Sequence, residues 1–140
     1  MKFRFDGYNY IVRIERGEKV IDCLTKLAQE QKLPSCWLSG LGGASSVELG
    51  FYDLEAQQYN WRKIDEPLEI AGLQGNITWT ESSPAFHIHG VFAKDDLSTI
   101  AGHVREIVVS GTCEILLHRW YGENLTKSID PDTGLKLLNL

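Results

Sequence analysis

The chain has 140 residues, a length that suits one domain over residues 1–140 and lets about two-thirds of the unfolded surface be buried. Its hydrophobic content of 43% and charged content of 24% are ordinary for a globular protein and exclude global disorder. A net charge of −5 with no run of Lys and Arg argues against a surface made to grip a phosphate backbone, and no stretch approaches the roughly 20 apolar residues that span a bilayer.

Residues 3–14 predict strand: Phe3, Phe5, Tyr8, Tyr10, Val12 and Ile14 alternate with polar neighbours, and Asp6-Gly7 marks a turn or bulge inside the run. From Glu18 the period changes. Val20, Ile21, Leu24, Leu27 and Ala28 fall at helical spacing, which predicts a helix over about 18–32. Gly17 would cap its start and Pro34 would stop it. Residues 35–40 and 46–53 read as two strands flanking a small-residue turn, Gly40-Leu41-Gly42-Gly43-Ala44. Further strands are predicted at 59–64, at 68–80 with Gly72 and Gly75 inside it, at 85–92 and at 112–120. The polar tail carries a turn signal, Pro131-Asp132-Thr133-Gly134, before a leucine-rich end that should dock on its own core or on a neighbouring subunit. One principal helix among short strands predicts an α+β fold, mainly antiparallel sheet.

Cys23, Cys36 and Cys113 lie far apart, are odd in number and contain no Cys-x-x-Cys pair. A disulfide framework is not expected, and a reduced cytoplasmic compartment fits best. The segment Met1 to Asp6 has no apolar core of a secretory leader.

The chemistry-bearing residues are the histidines His87, His89, His103 and His118. Residues two apart on a strand project from one face, about 6.6 Å apart at the Cα atoms. His87 and His89 can therefore lean onto one metal ion, with Phe86 and Ile88 directed into core. An exposed or hydrogen-bonded pair is the competing explanation of a His-x-His. His103 follows a loop containing Lys94-Asp95-Asp96, and a chain returning from that loop could bring it to the same face. Three neutral imidazoles plus water is the pattern of an open zinc site, although imidazole equally suits other divalent transition metals. His118 reads as a strand-end surface residue, and Asp95 and Asp96 as a solvated turn. Glu69, mid-strand, either accepts from a ligating imidazole or simply faces out. Cys113 reads as a buried thiol. The glycines at 40–43 lack the spacing and lysine of a phosphate loop. Trp37, Trp61, Trp79 and Trp120 are expected in core or at a subunit interface.

Several segments in order carry a family resemblance. They are Gly17-Glu18-Lys19-Val20-Ile21-Asp22, Trp37 to Ser45, Val47 to Asp53, Glu66-Pro67-Leu68-Glu69-Ile70, Leu73-Gln74-Gly75-Asn76-Ile77, His87-Ile88-His89 and Ala101-Gly102-His103. Together, over roughly residues 10–120, they resemble the plants-and-prokaryotes-conserved domain (PPC, DUF296) of the stand-alone prokaryotic type. The resemblance implies a trimer-forming antiparallel-sheet domain. Some members resemble metal-bound proteins through a His-x-His and a later Gly-Gly-His, which here points to a metal on His87, His89 and His103; the site is expected near a cleft between subunits. Ala101 stands where the family usually has glycine. Plant members carry an AT-hook that grips the DNA minor groove, and no Arg-Gly-Arg-Pro core is present here. The expected function is therefore a homotrimer binding zinc or another divalent transition metal, with its activity undetermined. The alternatives are a regulatory module with a DNA or protein partner, and a purely structural oligomerisation domain. No membrane partner is expected.

Overall fold

The computed structural model describes residues 1–80 and 83–140. In chain order it contains β1 (Lys2–Phe5), β2 (Asn9–Glu15), α1 (Val20–Glu30), β3 (Cys36–Asp53), β4 (Gln58–Ile64), β5 (Leu68–Trp79), β6 (Pro84–Ala93), β7 (Thr99–Arg119), β8 (Lys127–Ile129) and β9 (Lys136–Leu138). The α+β expectation holds: among the described residues one helix accompanies a seven-stranded antiparallel sheet of order β1-β2-β7-β6-β5-β3-β4. An additional β7–β3 pairing joins strands from within that order, so β3, β5, β6 and β7 close a circuit. No helix among the described residues is long and apolar enough to cross a membrane.

The helix forms because its apolar residues make one stripe; Val20, Leu24, Leu27 and Ala28 are buried. Its N-cap is Lys19, which makes no side-chain cap, rather than the Gly17 expected from the sequence. Gly17 instead takes a positive φ of 81° in the turn before the helix. The orphan amide of Ile21 in the first turn is satisfied from outside, donating to Glu106 Oε1 of β7 at 2.9 Å. The helix ends at Glu30, ahead of Pro34, through Lys32 at φ 48°.

Two strand expectations are corrected as well. The small-residue stretch at 40–44 is no turn: β3 runs unbroken from Cys36 to Asp53. Its register shifts between Gly40 and Gly42 and again between Gly42 and Ala44. The reason is close approach, since a Cβ at Gly42 would lie 2.2 Å from the Thr112 carbonyl oxygen of β7. Likewise the late strand predicted at 112–120 is the second half of β7, which begins at Thr99. The leucine-rich end forms the short β8–β9 hairpin, and Leu140 is fully exposed rather than docked within this chain.

The core lies inside the closed circuit, where Ile77, Ile88, Phe92, Leu73, Ile107 and Ile115 are almost wholly buried. Each such side chain contributes roughly 1.5–3 kcal/mol of hydrophobic burial. Cys113 is also buried, and burial pushes its thiol up to about 12, as expected of an inert structural cysteine. Inward residues alternate with outward ones along β6, and that alternation fixes the position of the site.

Candidate metal centre

Ile88 of β6 points inward with 1% exposure, so His87 and His89 on either side of it both point outward. Phe86 packs against the core, also as expected. Register supplies the neighbours. His87 pairs with Asn76 of β5, and His89 pairs with Gln74 of β5 and, on its other side, with His103 of β7. His103 in turn pairs with Gly50 of β3, and Gly50 with Trp61 of β4. One row across five strands thus presents Gln74, His89, His103 and Trp61 on the outer face, with a gap at Gly50.

The three imidazoles form a nearly equilateral triangle, with ring centroids 5.2, 5.3 and 5.3 Å apart. Their ligand atoms all lie within 4.8 Å of one another, and the group contains no carboxylate. Nε2 of His87 and Nε2 of His89 are 3.3 Å apart.

Aromatic rings buttress His103. The Tyr59 hydroxyl lies 3.4 Å from its Nδ1, the Tyr59 and His103 centroids are 4.8 Å apart, and Tyr59 stacks on Trp61 at 4.8 Å. The gap at Gly50 makes this possible: a Cβ there would come within 2.7 Å of the Trp61 ring and 2.9 Å of the Tyr59 ring. With Nδ1 engaged by Tyr59, Nε2 of His103 is the nitrogen left for a ligand.

Electrostatics favour the neutral form of two of the rings, His103 and His87. Burial lowers His103 to about 4, reinforced by His87, His89 and Lys127. His87 is lowered too, first by desolvation, although part of its side chain remains exposed, and then by Lys127 and His89. Neutral imidazole is the ligating form. Lys127 is itself lowered by burial. Its Nζ donates to Asn76 Oδ1 at 3.1 Å.

The other sequence candidates lie elsewhere. His118 is exposed and contacts Asn9 Oδ1 through Nδ1 at 2.7 Å. Glu69 is exposed opposite Ala93, and the metal-capable group does not include it. Asp95 and Asp96 sit in the exposed turn where Lys94 N–H donates to the Ser98 carbonyl. Ala101 is exposed in regular strand opposite Val91 and has no positive φ, so the departure from glycine is accommodated. Tyr59, Trp61, Asn76 and Lys127 were not picked out for the site by the sequence. Tyr59 and Trp61 carried the signal of an alternating strand, whereas nothing marked Lys127.

The domain profile described as Plants and Prokaryotes Conserved (PCC) matches residues 1–120. The chain belongs to that family. Among solved structures, a metal-containing protein from Archaeoglobus fulgidus is 30% identical, with TM-score 0.89 and coverage of 100% of both chains. A Ralstonia eutropha protein provisionally named as DNA-binding is 28% identical, with TM-score 0.92 over 99% of this chain and 96% of that one. A Bacteroides thetaiotaomicron protein with the same provisional name is 24% identical and shares the fold, with TM-score 0.93 over 99% of this chain and 96% of that one. No curated protein matches the chain.

Proposed function

We propose that this PCC-domain protein binds a divalent transition metal, zinc foremost, through His87, His89 and His103, as a cytoplasmic homotrimer whose residues 1–140 are one domain. The observation that carries the reading is the 3.3 Å between Nε2 of His87 and Nε2 of His89. Tetrahedral zinc with 2.0–2.1 Å bonds to nitrogen requires ligand atoms about 3.3 Å apart. A hydrogen bond between two imidazoles would explain that distance alone. It would not explain a third ring nitrogen within 4.8 Å of both, on a ring held from behind by Tyr59. The name of the Archaeoglobus relative, a metal-containing protein, supports the same reading.

A metal on three imidazoles keeps an open position and supplies Lewis acidity there. Tyr59 orients His103, and burial keeps that ring neutral and ready to ligate. The proposal extends to metal and ligand binding at these three imidazoles and assigns no reaction. Titration of the metal-stripped protein with zinc tests it. The expected result is one equivalent per chain with micromolar affinity or tighter, lost in a His87→Ala/His89→Ala double variant. No uptake by the wild-type chain overturns it.

The trimer rests on the family expectation and on an apolar outer face. Ile11, Trp37, Leu41 and Leu116 are 62%, 50%, 57% and 42% exposed. Ile11 pairs directly with Leu116, and Trp37 shares a face with Asn76 and His87 through the Trp37–Asn76 and Asn76–His87 pairs. Light scattering should give three chain masses, and a monomer at micromolar concentration contradicts it. The provisional name of the Ralstonia relative favours a second reading, a DNA-associated module. That reading predicts a salt-sensitive complex with duplex DNA, against which the net charge of −5 weighs. A flat titration at low salt removes it.

A further inference from the structure

We propose that the histidine site receives a small carboxylate, one oxygen on the metal and the other on the ammonium of Lys127; this rests on the metal reading above. Lys127 opens β8, in the segment beyond residue 120 where the family profile ends. That segment is fastened across the outer face at two places. At one, Ser35 N–H donates to Asn124 Oδ1 at 2.9 Å and Leu125 N–H donates to Ser35 Oγ at 2.8 Å. At the other, the Tyr52 hydroxyl donates to the Thr133 carbonyl at 2.7 Å and Gln57 Nε2 donates to the Asp132 carbonyl at 3.1 Å.

Between these points Lys127 Nζ donates to Asn76 Oδ1 at 3.1 Å. Asn76 is 6% exposed and is the residue directly opposite His87 in the β5–β6 ladder. Directly paired residues share a face, with Cβ atoms about 4.5–5.5 Å apart. The ammonium therefore stands at the rim of the imidazole triangle. It has three N–H donors, one of which Asn76 accepts. Among the described residues no carboxylate lies within 4.0 Å of Nζ to neutralise it.

A half-buried cation is costly without a counter-charge. Placing it beside a dication site adds repulsion to the cost, since like charges at close range oppose one another. Both costs disappear when an anion lies between the two positive centres. A carboxylate fits because its two oxygens can each address one of them. Holding Asn76 in place would not by itself call for a charge, since a neutral donor would serve as well.

The test loads the full chain with cobalt(II), follows its visible absorption, and titrates with acetate. Wild-type protein should show a saturable spectral change. Lys127→Met should weaken acetate binding by about tenfold, the scale of one charge-assisted hydrogen bond, and Lys127→Arg should stay within about threefold. Imidazole, a neutral metal ligand, should bind both variants alike. If Lys127→Met loses cobalt altogether, Lys127→Gln, which keeps a donor for Asn76 Oδ1, carries the comparison. Failure of wild-type protein to take up cobalt overturns the metal reading and this inference with it. Cobalt uptake with equal acetate affinity in wild type and the Met or Gln variant overturns this inference alone. A stronger response to inorganic phosphate than to acetate overturns the assignment to a carboxylate.

Discussion

Gly50→Ala is the sharpest test of how the sheet supports the site. Gly50 lies between His103 on β7 and Trp61 on β4, and its missing side chain is the space into which the aromatic stack folds. A methyl group there would sit 2.7 and 2.8 Å from two Trp61 ring carbons and 2.9 Å from Tyr59 Cδ1, closer than carbon atoms pack. The backbone imposes no penalty, because Gly50 is not among the glycines of positive φ. The cost is overpacking, about 1–3 kcal/mol, offset by about 0.4–1 kcal/mol from the stiffer unfolded chain. A net loss of about 1–2 kcal/mol corresponds to a fall in Tm of about 3–7 °C for a chain of this length. The displaced rings are those that hold His103, so zinc affinity should fall by about tenfold in the same variant. Thermal melts in chelator and competitive zinc titrations read the two effects separately. A variant with wild-type Tm and wild-type zinc affinity would refute the reasoning.

Tyr59→Phe removes the hydroxyl beside His103 Nδ1 and keeps the stack; zinc affinity should drop by about tenfold, with Tm in chelator changed by no more than about 2 °C. The metal-free protein should be acid-sensitive through His103. Its folded value of about 4 lies below the ordinary 6.5, so in that window the unfolded chain binds a proton that the folded chain refuses. Stability is fully present above 6.5 and falls as pH drops toward 4. The full gap is worth roughly 3 kcal/mol, and solvent screening of the partly exposed ring reduces this to about 1–2 kcal/mol. Urea unfolding at pH 8 and pH 4.5 checks it, with His103→Gln showing the smaller loss. Glu106→Ala strands the amides of Ile21 and Ile107, each donating to Glu106 Oε1 at 2.9 Å. It should cost about 1–2 kcal/mol in thermal unfolding and leave zinc affinity unchanged.

The period-two pattern of β6 made the outward pair His87 and His89 legible, because a strand with Ile88 facing core has no other way to turn them. The helix was legible for the same reason at a different period. His103 was placed by resemblance more than by pattern, and the structure gives the cause. It sits in the first half of β7, where Gly102 carries no side chain and the buried residues Val104 and Ile107 are three apart, so the alternation that marks residues 113–117 is absent. The glycines at 40–43 suggested a turn because small residues usually signal chain reversal. Here they let two long strands approach, which depends on a partner strand some 70 residues away. Lys127 was invisible for a related reason. It reaches the site through Asn76, 51 residues earlier in the chain, and no local pattern encodes that meeting.

Anomalous scattering at the zinc edge from crystals of the zinc-soaked protein tests the central claim most directly. A single peak about 2.0–2.1 Å from one ring nitrogen each of His87, His89 and His103 is the predicted result. A map with no peak there, or a His103 ring turned away from the other two, would contradict it.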